Sequence, residues 1–407
     1  MSHVELVFLR VARNVKNASR LKASQFNYTF IAMKKKNLTE TINGVASTAS
    51  TECANQQQWT KYHSKQGHGF AAEDANALYD KMHGKHVDKV GLDNSKNGAD
   101  RIVNGVEIQT KYCANAIKSV DAAFENGQFR YSGMKLEVPK EQYEEAVQIM
   151  RERISQGKVP GVTDPNMAEQ IIVKGHYTYD EAVRIAKAGN MDSIKFDIKT
   201  QAVACTFACG LSFAVSYCTA KSKGMSHTDA LKFAAKQAAK SGCSTLVTGV
   251  AAQQLLRTHV GRNFAAIATK AVKPVVRSAM KTEVGKNVLT KTASVIAGKQ
   301  VAGAAATNVI TKALRTNAVV STVVFVGTSI PDTVRLCCGK ITGREYAENT
   351  ASNAAGVGGG WAGASAGAAI GSAVFPGVGT IVGGIVGGIG GGIGASLGVK
   401  KVFSFFK

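Results

Sequence analysis

Asp100, Gln109 and Lys111 are the residues of this chain whose types and spacing best suit hydrolytic chemistry. They lie in Gly98-Ala99-Asp100-Arg101-Ile102-Val103-Asn104-Gly105-Val106-Glu107-Ile108-Gln109-Thr110-Lys111, which reads as a strand with an acid at its end, a tight Asn-Gly turn and a second strand. Strand alternation puts Glu107, Gln109 and Lys111 on one face and Val106, Ile108 and Thr110 on the other. An acid beside a Gln-x-Lys pair can hold a divalent metal against a phosphodiester. The carboxylate binds the hard cation, the amide carbonyl offers another oxygen, and the lysine neutralises charge or orients the attacking water. The plain alternative is that the three form the polar, solvent-facing side of an antiparallel hairpin.

A helix is expected ahead of the hairpin. Phe70, Ala77, Leu78 and Met82 fall at helical spacing, and Glu73 sits in the first turn. From Gly67 to Tyr131 the chain resembles the PD-(D/E)xK restriction-endonuclease-like superfamily in its Gln-x-Lys, Mrr-like variant. The resemblance implies a nuclease-like fold in which Glu73, Asp100 and Gln109 hold Mg²⁺ (or Mn²⁺) and Lys111 completes the catalytic set. It also implies a nucleic-acid partner, DNA before RNA. One departure is visible: Gln109 stands where the family has its second acid, and Glu107 lies four positions before the lysine rather than two.

The charge balance divides the chain. Residues 1–200 hold 28 Lys and Arg against 23 Asp and Glu, whereas residues 201–407 hold 22 against 5. The hairpin half is nearly balanced and the apolar half is strongly basic, which favours anionic lipid as the second half's partner. Eight cysteines show no C-x-x-C pair and no zinc-finger spacing with histidine, so buried free thiols are expected. His63, His68, His83 and His86 are spaced without a tight tetrahedral pattern and read as surface histidines, with His68 available as a general base. Arg130 and Tyr131 are candidates to touch a phosphate or simply an exposed strand end.

Five segments follow from this reading. Residues 1–66 form an extension and polar linker, with Met1 and Met33 both plausible starts; 67–135 form the nuclease-like domain; 136–199 form a helical connector. Within the connector, Pro139 opens one helix, Asp164-Pro165 a second and Thr178 a third, the last two suiting either a helix-turn-helix or a plain helical hairpin. Residues 200–349 are helical, basic and membrane-associated. There Thr200–Ala220 is uncharged over 21 residues, enough for one crossing and equally for a buried bundle helix.

Residues 350–399 carry no charged side chain over 50 positions. Glycine recurs every fourth residue, at 359, 363, 367 and 371 and again at 379, 383, 387 and 391. Such spacing draws a smooth groove along a helix and lets another backbone approach. Phe375-Pro376-Gly377 divides the run into two arms, which resembles the glycine-zipper segments of bacterial membrane-associated proteins. The expected fold class is therefore an α+β/α/β nuclease-like N-terminal domain followed by an all-α, membrane-associated C-terminal half. The expected function is a membrane-associated, metal-dependent nuclease with its catalytic domain in the cytoplasm, suited by analogy to a bacterial toxin or defence effector. Homo-oligomers are expected through the zipper. The rival is a non-enzymatic, pore-forming or scaffolding glycine-zipper protein whose N-terminal domain only binds.

Overall fold

The computed structural model describes residues 61–62, 64–90, 97–297 and 300–374, together with Gly387, Gly391 and Ala395. Most of the expected N-terminal extension and most of 375–407 lie outside the described residues. The fold begins earlier than composition suggested: Tyr62, assigned to the polar linker, is buried in the core.

Helix α1 (Gly67–Met82) buries its small residues Ala71, Ala72 and Ala75 together with Leu78. Met82, expected on the buried stripe, is 58% exposed. Alanines rather than large apolar side chains form the contact face, because α1 packs close against a second helix, α5 (Tyr179–Ala186). After α1 come β1 (Val87–Lys89), β2 (Arg101–Val103) and β3 (Val106–Thr110), each antiparallel to the next. The turn between β2 and β3 is the expected two-residue one. Asn104 and Gly105 have φ of 50° and 84°, the left-handed pair that matches a hairpin's twist.

Helix α2 (Ala116–Asp121) is capped by Asn115, and a small hairpin of β4 (Phe124–Glu125) and β5 (Gln128–Phe129) follows. Then β6 (Lys135–Val138) runs parallel to β3, and β7 (Ile172–Lys174) runs parallel to β6. The mixed sheet has the order β1-β2-β3-β6-β7. Helix α3 (Tyr143–Ser155) buries Val147, Met150 and Ile154 against it, residues three and four apart that share one helical face.

The segment read as a helical connector thus supplies a strand to the sheet. After Asp164-Pro165 there is only a 3₁₀ turn and the four-residue helix α4 (Ala168–Ile171). Ile172 and Val173 are β-branched and take an extended backbone beside Leu136 and Glu137, so no helix-turn-helix forms. The third cap is as expected: Thr178 and Glu181 make a reciprocal capping box at the start of α5.

The rest is helical: α6 (Met191–Ser222), α7 (His227–Leu256), α8 (His259–Ala279), α9 (Glu283–Ala297), α10 (Gly303–Cys337) and α11 (Gly343–Val374). Thr200–Ala220, the candidate crossing, is part of α6. Its polar residues Ser212, Ser216 and Thr219 are buried, and Cys209 lies against Gly242 of α7, where an added Cβ would stand 2.2 Å from its sulfur. No helix among the described residues is long and apolar enough to cross a membrane.

The two halves share a core. Tyr62, Leu78 of α1, Ile185 of α5, Phe196 of α6, Leu256 of α7 and Val319 of α10 form one buried cluster. A polar string runs beside it. Arg257 donates to both carboxylate oxygens of Asp197, at 2.6 and 2.7 Å, and its guanidinium lies 5.4 Å from the Tyr62 ring centre. The Tyr62 hydroxyl in turn donates to Asp74 on α1 at 2.7 Å.

Candidate functional site

The hairpin presents two different polar faces. Toward α1 it turns Arg101, Val103, Ile108 and Thr110, with Val103 and Ile108 packed on Ala77. Arg101 is 2% exposed and is held by acids from two other elements. Its Nη1 donates to Glu137 Oε2 of β6 at 2.9 Å and to Thr110 Oγ1 at 3.0 Å, while Nη2 donates to Asp80 Oδ2 of α1 at 3.3 Å. Thr110 Oγ1 also donates to Glu137 at 3.0 Å. Asp80 is further bonded by Lys85 at 2.8 Å and His176 at 3.1 Å. Burial alone would raise the Asp80 carboxyl, but the bonds from His176 and Lys85 and the charge of Arg101 hold it well below the usual carboxylate range. The His176 ring stacks on Tyr79, with centroids 3.8 Å apart.

The other face carries the expected set. Asp100 Oδ2 accepts from Gln109 Nε2 and from the backbone N–H of Thr110, both at 2.8 Å. Gln109 is 5% exposed, whereas Glu107 on the same face is exposed and Asp100 is half-buried, so the face is covered at its centre and open at the turn end. Burial pushes the Asp100 carboxyl up, opposed by the Thr110 amide and by the charge of Lys111. Lys111 is half-buried, with its Nζ 5.3 Å from the Tyr131 ring centre. The structure therefore gathers Asp100, Gln109 and Lys111. Glu73 is half-buried on α1, and its charge and that of Asp100 are both felt by Lys61.

A divalent cation needs several oxygens aimed at one point. Here the bonded oxygen of Asp100 is satisfied from within the hairpin, and Gln109 turns its amide nitrogen, not its carbonyl, toward it. Among the described residues no three His, Cys, Asp or Glu side chains converge to hold a metal ion. The arrangement suits a polar lock between strands better than a metal centre.

Of the remaining candidates, His63 lies outside the described residues and the others are placed. His68 packs edge-on against Tyr179 at 5.1 Å, and burial lowers its pKa. His83 stacks on Tyr79, and His86 pairs with Asp88. Tyr131 is 3% exposed and belongs to the core, and Arg130 donates to the Ala122 carbonyl, so neither is a free strand end. The sequence reading missed the Asp80, Arg101 and Glu137 network. The available signal was Arg101 and Glu137 at inward positions of otherwise apolar strands.

In the C-terminal half, glycines of α11 meet the second glycine run. A Cβ on Gly363 would stand 2.0 Å from the Gly387 carbonyl oxygen, and one on Gly359 would stand 2.4 Å from both the Gly391 oxygen and the Ala395 Cβ. From the other side, a Cβ on Gly391 would stand 2.2 Å from the Gly359 oxygen. Backbone meets backbone along this seam, as the fourfold glycine spacing predicts. The remaining glycines of the second run lie outside the described residues.

The molecule thus combines a mixed-sheet domain braced by buried ion pairs with a helical half that ends in a glycine seam. Residues 50–155 match the family described as YeeR C-terminal domain. Residues 339–398 match the family described as C13G5.2-like, glycine zipper domain. Inner membrane protein YeeR of Escherichia coli (strain K12) is 54% identical over 100 residues, covering 23% of this chain. The match spans 20% of that relative's length. No solved structure matches the chain.

These matches overturn the restriction-endonuclease-like resemblance. Glu73, Asp100, Gln109 and Lys111 all fall inside the 50–155 match, the related protein bears the name of an inner membrane protein, and no nuclease family matches. The Gln-x-Lys spacing is short enough to arise in any hairpin that alternates polar and apolar residues.

Proposed function

We propose that this chain is a non-enzymatic, membrane-associated scaffold. Its glycine segment forms a close helix pair that inserts into the bilayer, and its mixed-sheet domain acts as a binding module held at the membrane surface. The observation that carries this reading is the contact of Gly359 and Gly363 with Gly387 and Gly391, which has no room for a Cβ. In lipid, helices gain nothing from burying apolar surface against each other, and small residues that admit close backbone packing hold them together. Three further facts support it: the 50 uncharged residues, the excess of 22 basic over 5 acidic residues in the second half, and the resemblance to an inner membrane protein. The bond between the half-buried Asp100 and the buried Gln109 favours a binding role over an enzymatic one.

The test is flotation of the full chain with neutral phosphatidylcholine vesicles. The protein should rise with the vesicles, a chain truncated after Asn349 should remain at the bottom, and Gly363→Leu with Gly391→Leu should weaken flotation. Asp100→Ala and Lys111→Ala should float as the parent does. Equal flotation of the truncated chain would move the anchor elsewhere and sink the reading.

A further inference from the structure

We propose that α8 is a second, interfacial contact with the membrane, lying on an anionic bilayer surface through one exposed stripe. This rests on the membrane-associated reading above and adds a site outside the glycine segment. The helix has three faces. Ala265 and Val276 are buried, the first in the core shared with the sheet domain and the second in a cluster with Ala293 and Ile310. A second apolar face is left uncovered: Val260 is 60% exposed, Phe264 43% and Ile267 66%. Their spacing of four and three residues makes one continuous stripe on a helix. A bundle helix that had satisfied its burial would not carry a phenylalanine and an isoleucine on a further face, since exposed contiguous apolar surface marks an interaction site.

Charge selects the occupant. Lys270, Lys273 and Arg277 are all exposed, and helical geometry sets them on the flank next to the stripe, in the turns that follow Ile267. No Asp or Glu occurs anywhere in His259–Ala279. An apolar stripe beside a one-sign basic edge matches the boundary between acyl chains and anionic headgroups, where the stripe is buried and the lysines meet phosphates. A protein partner of mixed charge would leave these cations unanswered. A nucleic acid would answer them but leave Phe264 and Ile267 in water.

The experiment uses the full chain and phosphatidylcholine vesicles with and without phosphatidylglycerol, with bromines on the acyl chains as quenchers. Ile267→Trp places a reporter on the stripe, and Ala266→Trp places one on the basic edge. Both sites are exposed, so both variants should fold, which circular dichroism checks. The added emission should shift to the blue and be quenched for Ile267→Trp in the anionic vesicles, several-fold more than for Ala266→Trp. Adding Lys270→Glu, Lys273→Glu and Arg277→Glu should remove most of that quenching. If the chain floats but the Ile267→Trp reporter stays unquenched, this inference falls and the membrane reading stands. If the chain does not float at all, the reading beneath it falls as well. Loss of duplex DNA binding on charge reversal, with an unquenched stripe, would assign the basic edge to nucleic acid and overturn the proposal.

Discussion

Arg101 shows how single residues fix the sheet domain. It is among the largest buried side chains of the described residues and is answered by carboxylates from α1 and β6, two elements distant in sequence. Removing one partner of such a set leaves charges buried without compensation. Arg101→Ala should therefore destabilise the protein by about 3–5 kcal/mol, read from urea unfolding. Asp100→Ala should cost less, about 1–2 kcal/mol, because it orphans only the Thr110 amide and the Gln109 side chain. If Asp100→Ala proves the costlier of the two, the lock lies on the other face of the hairpin.

Among elements, the glycine seam is the most sharply constrained. An alanine at 363 would place its Cβ against a backbone oxygen, which cannot rotate away as a side chain can. Gly363→Ala should cost about 1–3 kcal/mol through overpacking, measured by thermal unfolding in detergent. Gly358→Ala, with nothing within 4 Å of its added Cβ, is the control. It should gain about 0.5–1 kcal/mol from helix propensity. Equal effects at both positions would mean that the seam is loose.

At the scale of the whole molecule, the two halves meet through charge as well as apolar packing. Lys312 of α10 is half-buried, and desolvation together with the fields of Lys61 and Lys89 pushes its pKa down to about 8. The unfolded chain holds that proton up to the ordinary value of 10.5. Unfolding then takes up a proton between about pH 8 and 10.5, and stability should rise with pH across that window. Below pH 8 both states are charged and the penalty is constant. Lys312→Met should raise the melting temperature at pH 7 and flatten the rise above pH 8. A parent whose stability falls from pH 8 to 10 would show that Lys312 is not held in this way.

The sequence by itself determined the local features. The Asn104-Gly105 turn, the Thr178 capping box, the buried face of α3 and the glycine spacing each follow from a few adjacent residues whose backbone or side-chain preferences allow little else. Tertiary structure decided the rest. Ile172 and Val173 became a strand because a parallel edge at β6 was waiting for them, and no local pattern reports that edge. Thr200–Ala220 has the length of a membrane crossing, yet it packs along α7 with Cys209 against Gly242, a contact that only a partner helix can offer. Asp100, Gln109 and Lys111 do come together, as their spacing requires. What their spacing could not tell is that Gln109 and the Thr110 amide already satisfy the carboxylate, because that depends on which way each side chain turns once the sheet is covered by helices.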